Sequence, residues 1–187
     1  MSDPAAAATA VETIWEAQRR QAQALTCPVD ELLFGGARGG GKSDWLLMDF
    51  AQDVPLGTSW RGILFRKSYP ELEDLIARSE ELYPRIFPGA RWNRGRHAWT
   101  FPTGALLRLR FAETVRDVAK YQGHAYPWVG FDELPNWPDD SVYQAAFGFN
   151  RPFGDAERVR CRIRATGNPG GPGTLWVKDR FVFAGPW

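Results

Sequence analysis

Leu32-Leu33-Phe34-Gly35-Gly36-Ala37-Arg38-Gly39-Gly40-Gly41-Lys42-Ser43-Asp44-Trp45 is the stretch on which the fold turns. Three apolar residues run into a segment, Gly35 to Gly41, in which five of seven residues are glycine. Glycine is costly to order and adds nothing to a core, so the run needs a reason in backbone conformation. Gly36-x-x-x-x-Gly41-Lys42-Ser43 supplies one, because it fits the phosphate-binding (Walker A) pattern. Glycines let backbone N–H groups turn inward around phosphate oxygens, and the N-terminus of the following helix adds its dipole. On this reading Gly36, Ala37, Arg38, Gly39, Gly40 and Gly41 wrap the phosphates of ATP. Lys42 reaches the β- and γ-phosphates, and the Ser43 hydroxyl ligates Mg2+. The pattern does not require Arg38, which reads either as a solvent-facing loop residue or as a cis-acting charge over the γ-phosphate.

Outward from the loop, strands alternate with helices. Asp30 to Phe34 reads as a buried strand feeding the loop, and residues 42–53 as the helix after it, ended by Pro55. Upstream, Val11, Ile14, Trp15 and Gln18 recur at helical spacing and predict a helix over 10–24, behind an Ala-rich flexible tail of residues 1–9. Downstream, Gly62 to Lys67 reads as a second strand. Ser68-Tyr69-Pro70-Glu71 then forms a capping box opening a helix to about Tyr83. His97–Phe101 and Ala105–Phe111 around Pro102-Thr103-Gly104 predict an antiparallel hairpin. A short helix is expected over Asp117–Tyr121, a strand over Trp128–Phe131, a helix over 139–148, and a last strand over Arg158–Thr166. Gly167 to Gly173 is a loop. This alternation predicts one α/β domain over 10–187 with a mainly parallel central sheet flanked by helices.

Composition agrees. The chain has 187 residues, 44% hydrophobic and 24% charged, which suits one globular domain with a sizeable core. The net charge of +1 gives no global polyanion signal, so nucleic-acid contact would need local patches. Cys27 and Cys161 lack metal-site spacing and read as reduced thiols. Neither a signal peptide nor a membrane-length apolar run is visible, so a soluble chain inside a cell is expected.

A phosphate loop needs a partner that holds Mg2+ and activates water. Trp128-Val129-Gly130-Phe131-Asp132-Glu133 offers one, because an acid at the carboxyl end of a strand lies at the rim where open α/β sheets bind ligands. Asp132 is the expected Mg2+ ligand, through water, and Glu133 the general base that polarises the attacking water. A third loop, Thr166-Gly167-Asn168, is placed to sense the γ-phosphate or simply to turn the chain. The strand before it carries Arg158, Arg160, Arg162 and Arg164 on one face. That row reads as a solvated, salt-bridged face, with a neighbouring subunit or a nucleic-acid phosphate track as the sharper alternatives. Arg91, Arg94 and Arg96, interleaved with Trp92 and Trp99, make a weaker basic-aromatic patch read as a surface hairpin.

Taken in order, four segments resemble the ATPase domain of the large terminase subunit of tailed phages. They are Leu32 to Ser43, Thr100 to Gly104, Tyr121-Gln122-Gly123 with Gly130 to Leu134, and Thr166 to Gly171. The resemblance runs from about Gln21 to Phe181. It implies a P-loop NTPase of the additional-strand, conserved-glutamate (ASCE) type with a β-hairpin insertion. It implies an ATPase that pumps double-stranded DNA into a procapsid as a homo-oligomeric ring on the portal, with a small terminase subunit as partner. The host cytoplasm and the procapsid portal are the places implied, and no membrane. Thr166, Gly167 and Asn168 become the coupling motif. Gln21, by its spacing to the first strand, becomes the adenine-reading glutamine, with Gln23 the alternative.

Two departures qualify the resemblance. The chain stops at Trp187, soon after the coupling motif, without the clustered carboxylates of the family's C-terminal nuclease, so no DNA cleavage is expected of it. Some terminases carry a trans-acting arginine eleven residues before the catalytic glutamate, where this chain has Gln122. That turns attention to Arg38, Lys120 and Arg116, then to Arg110 and the Arg158–Arg164 row. Two other readings stay open: a helicase-like P-loop ATPase, and a catalytically silent assembly module that binds the portal or the small subunit.

Overall fold

The structure, a computed structural model, describes residues 12–154 and 159–183. Seven strands form one sheet: β1 (Glu31–Gly35), β2 (Arg61–Arg66), β3 (Arg91–Asn93), β4 (Ala98–Thr100), β5 (Leu106–Phe111), β6 (Trp128–Phe131) and β7 (Arg162–Gly167). Their spatial order is β1-β7-β6-β2-β5-β4-β3. The first five in that order run parallel, and β5-β4-β3 is an antiparallel meander. The fold is thus the mixed α/β architecture expected, with β7 inserted as an extra strand between the glycine-loop strand β1 and the acid-bearing strand β6.

Side-chain alternation along the strands divides the core in two. Leu64 and Trp128 point to one face with Trp45, Phe50, Tyr83 and Trp99. Ile63, Phe65, Val129 and Phe131 point to the other with Trp137 and Tyr143. Helices α2 (Lys42–Ala51) and α3 (Tyr69–Ile86) cover the first face. Helix α5 (Ser141–Ala146) covers the second. The capping box at the start of α3 is formed, with the Ser68 side chain on the third helical N–H and Glu71 returning to the Ser68 N–H. Both faces of β2 and β6 are covered, so β6 and the interior of β2, Gly62–Phe65, are wholly apolar, with arginines only at the ends of β2.

Several boundaries differ from the sequence expectation. Helix α1 covers only Arg19–Leu25, while Glu12 to Gln18 have no regular structure. Ile14 and Trp15 nevertheless pack on the core, so their spacing reflected burial and not a helix; residues 10 and 11 lie outside the described residues. Helix α2 stops at Ala51, and Pro55 sits within a 3-10 turn, Val54–Ser59. Arg91–Asn93, read as part of a surface hairpin, is a third meander strand, with Trp92 opposite Trp99 and their rings 5.5 Å apart. The short helix near 117 is α4 (Val115–Ala119). Strand β7 begins at Arg162, where Asp30 O receives the Ile163 N–H, and Arg158 lies outside the described residues. Helix α6 (Thr174–Lys178) and a π-helical turn, Asp179–Phe183, follow the last loop.

The arginine row of β7 faces α2 and is paired. Arg164 is fully buried on Asp49, which is itself fully buried and also receives the Trp128 Nε1–H. Arg162 pairs with Asp53 and lies over the Trp60 ring, and Arg160 pairs with Asp30 at the surface. Burial pushes the Arg162 pKa down, opposed by Asp49 and reinforced by the Arg164 charge. The row is salt-bridged as expected for the three described arginines, but it is not a solvated face: Arg164 is fully buried and Arg162 mostly so, and of the three only Arg160 is exposed. Buried charges need partners; α2 supplies Asp49, and the segment just after it supplies Asp53. No described helix is long and apolar enough to cross a membrane.

Candidate functional site

Parallel pairing builds the site. Gly35 lies in register with Gly167, and the Gly36 N–H donates to Gly167 O at 3.2 Å. Phe131 lies in register with Ala165. These contacts bring the glycine loop, Asp132-Glu133 and Thr166-Gly167-Asn168 to one edge of the sheet. A cleft of about 830 Å3 opens there, lined among others by Arg38, Lys42, Ser43, Glu133, Asn136 and Asn168.

The loop turns through left-handed backbone at Gly39 (φ 80°) and Gly41 (φ 61°), conformations that favour glycine. A Cβ on Gly41 would also lie 2.7 Å from Gln21 Nε2. Lys42 is buried, and its Nζ donates to Ala37 O at 2.7 Å and Gly36 O at 3.4 Å. Arg38 is exposed on the rim of the cleft.

Gln21 lies beneath the loop, 2% exposed. Its Nε2 donates to Gly41 O at 2.9 Å, and its Oε1 accepts the Gln18 N–H. The amide named as a purine reader is therefore occupied at both ends in holding the loop to α1. Gln23 is exposed on that helix.

Asp132 is fully buried. One carboxylate oxygen accepts a short hydrogen bond from Thr166 Oγ1, and the other accepts from the Arg66 guanidinium. Thr166 Oγ1 in turn accepts the Glu133 N–H at 3.1 Å. Glu133 has left-handed backbone (φ 58°, ψ 51°), which costs a non-glycine residue of order 1 kcal/mol or more. Its carboxylate is gripped by Asn168 through the backbone N–H at 3.2 Å and Nδ2 at 2.6 Å. Asn168 Oδ1 is buried with no hydrogen-bond partner.

Of the residues named from the sequence, Arg38 to Ser43, Glu133 and Asn168 line the cleft, while Thr166, Asp132 and Gln21 are buried behind it, Thr166 accepting the Glu133 N–H, Asp132 bonded to Thr166, and Gln21 donating to the Gly41 carbonyl. Arg66 is the addition. Nothing in the short-range pattern around Gly62–Lys67 marks it, because its meaning depends on the parallel pairing that sets β2 beside β6. Among the alternative cations, Arg110 is spent on the Arg96, His97 and Leu109 carbonyls, and Lys120 pairs with Asp117.

The residues present fit a divalent cation that arrives with phosphate. Ser43 Oγ and an Asp132 oxygen face one cationic group between them, and oxygen donors are what Mg2+ takes. Among the described residues no group of three or more His, Cys, Asp or Glu is arranged to hold a metal by protein ligands alone.

No protein-family model matches the chain, and no curated protein matches it by sequence. Solved structures do. The large terminase of bacteriophage HK97 matches with TM-score 0.61 and 12% identity, over 88% of this chain and 36% of that one. The large terminase of a thermophilic bacteriophage matches with TM-score 0.66 and 19% identity, over 88% of this chain and 42% of that one. The large terminase ATPase domain of Thermus phage P74-26 matches with TM-score 0.60 and 14% identity, over 84% of this chain and 66% of that one. The chain therefore spans well under half of the first two terminases. By the order of its strands, the position of its glycine loop and these likenesses, the chain has the P-loop fold of phage large-terminase ATPase domains.

Proposed function

We propose that the chain is the ATP-hydrolysing motor domain of a viral large terminase, coupling Mg-ATP hydrolysis to movement of double-stranded DNA into a procapsid. One observation carries the reading: the glycine loop, Glu133 and Asn168 converge on one cleft at the carboxyl edge of a parallel sheet. The large terminase of the thermophilic bacteriophage has been solved in complex with ADP, which supports a nucleotide in this cleft. A structure of the phi29 viral genome packaging motor assembly is similar in fold, which supports an assembled motor; a homo-oligomeric ring on a portal in the host cytoplasm, with a small terminase subunit as partner, completes the proposal.

In the reaction, Gly36 to Gly41 present backbone N–H groups to the phosphates. Lys42 leaves the Gly36 and Ala37 carbonyls for the β- and γ-phosphates. Ser43 and Asp132 would hold Mg2+, which when bound polarises the phosphate oxygens. Glu133 accepts a proton from water, whose oxygen bonds to the γ-phosphorus. The bond from that phosphorus to the β,γ-bridging oxygen breaks, and its electrons leave on ADP. Asn168 must release Glu133 for this, which ties the base to the coupling residues Thr166, Gly167 and Asn168. The unpartnered Oδ1 of Asn168 suits it to accept a hydrogen bond from the attacking water.

Lys42→Ala tests the reading. Loss of a charge-assisted phosphate contact predicts about 10- to 100-fold weaker binding of a fluorescent ADP; unchanged affinity overturns the phosphate-loop assignment. Arg38→Ala tests the cis-acting charge. Its kcat is expected to fall about tenfold or more with ATP affinity nearly unchanged, since a group acting in the transition state spares ground-state binding. Equal loss of both would make Arg38 a positioning residue. ATPase rate rising steeply with protein concentration, and further with DNA, is the signature of a ring; a flat, negligible rate at every concentration favours the silent assembly module.

A further inference from the structure

Arg66 closes β2 at the edge where the cleft opens. Its Nε and Nη2 donate to Asp132 Oδ2 at 2.8 and 2.5 Å, and Nη2 also reaches Ser43 Oγ at 3.3 Å. The Asp132 side chain is fully buried and that of Arg66 only 13% exposed. One fixed positive charge therefore satisfies both side chains that the proposed function assigns to Mg2+. A carboxylate this buried is strongly disfavoured without a cation. A guanidinium and Mg2+ in contact with the same oxygen repel each other, and Mg2+ demands oxygens at about 2.1 Å in near-octahedral array.

We propose that Arg66 is a resident cation, a positioning residue that keeps the metal site closed until Mg2+ arrives with nucleotide and displaces it. This inference rests on the Mg-nucleotide reading above. Mg2+ alone gains two protein groups, too few to offset its dehydration and the loss of the Arg66–Asp132 pair. With the polyphosphate it gains further oxygens and the balance reverses. The exchange is felt by the coupling residues, because the other Asp132 oxygen is bonded to Thr166, which receives the Glu133 N–H. Loading the metal is thereby linked to the loop that grips the base, one hydrogen bond away.

The wild-type chain provides the first test. The Arg66 Nε–H resonance, assigned by its absence in Arg66→Lys, is followed by NMR with Mg2+ alone, with ADP and EDTA, and with Mg-ADP. Protection from solvent exchange is expected in the first two conditions, and a large shift with loss of protection in the third. A resonance unmoved by Mg-ADP means that Arg66 is a permanent partner of Asp132, and overturns the proposal. The second test is Arg66→Gln in a Mn2+ titration without nucleotide, read by electron paramagnetic resonance. The variant is expected to bind Mn2+ at least about tenfold tighter than the wild type, the strength of a charge-assisted bond no longer in competition; equal affinity also counts against the proposal. Should that variant fail to fold, the wild-type resonance decides. A parallel fluorescent-ADP titration separates the two claims. No ADP binding sinks the nucleotide reading, whereas ADP binding with an unmoved Arg66 sinks only this inference.

Discussion

Glu133→Gln is expected to lower ATP turnover by about 100- to 10,000-fold, the range over which a positioned general base contributes, while ATP affinity stays close to wild type. The substitution removes basicity with little change of shape. A glutamine keeps the length and one acceptor, so the Asn168 Nδ2 bond at 2.6 Å can survive, while the weaker bond from the Asn168 N–H at 3.2 Å is lost because the second position becomes a donor. Its backbone also inherits the left-handed conformation at 133, which any side chain must bear. What disappears is the carboxylate that, in the proposed reaction, would take the proton from water. Steady-state turnover at saturating ATP, with equilibrium binding of ATP measured beside it, checks the expectation. Turnover that survives would move the base elsewhere, and affinity lost in proportion would mean that Glu133 organises the cleft instead.

The largest effect on stability is expected from Asp49→Ala, which should cost about 3–5 kcal/mol, the toll of breaking a buried ion pair from one side. Asp49 is fully buried and accepts from Arg164 Nε at 3.2 Å and Trp128 Nε1 at 2.8 Å. Its removal leaves a buried guanidinium and a buried indole N–H without their acceptor, although Arg164 keeps the Val29 and Asp30 carbonyls. Against a total of about 5–15 kcal/mol for a domain, that is a large share. Arg160→Ala is the contrast. Its pair with Asp30 is more than half exposed on both sides, so about 1 kcal/mol or less is expected. Urea midpoints of the two variants check both. An Asp49 variant within about 1 kcal/mol of the parent would mean that water or a rearranged Arg164 satisfies the site.

These two residues mark the limits of what short-range pattern discloses. Glu133 was legible because it follows a buried strand directly, and the strand end fixes where an acid must lie. Asp49 was not, because an aspartate inside an amphipathic helix gives no sign of the strand it will face. The arginine row showed its period of two, hence one face, but a period cannot say whether water, a subunit or a helix covers that face. Here α2 does, and charges that would suit a nucleic-acid track are instead paired. Gln21 was singled out by the family resemblance, with its spacing to β1 setting it above Gln23, yet its Nε2 is engaged by the loop carbonyls and its Oε1 by the Gln18 N–H, which spacing could not reveal. Ile14 and Trp15 show the same limit in the backbone, since burial imitated helical spacing where the chain has no regular structure.

By itself the sequence determined the α/β alternation, the glycine loop with its left-handed backbone, and the acids at the end of β6. Each is a local demand, met within a few residues by backbone freedom, a hydrophobic run or a strand terminus. The tertiary structure alone decided the strand order that inserts β7 between β1 and β6. It likewise decided the grip of Asn168 on Glu133, the burial of Arg164 on Asp49, and the seat of Arg66 between Ser43 and Asp132. Those pairings join residues far apart in the chain, and only parallel register brings their charges within reach.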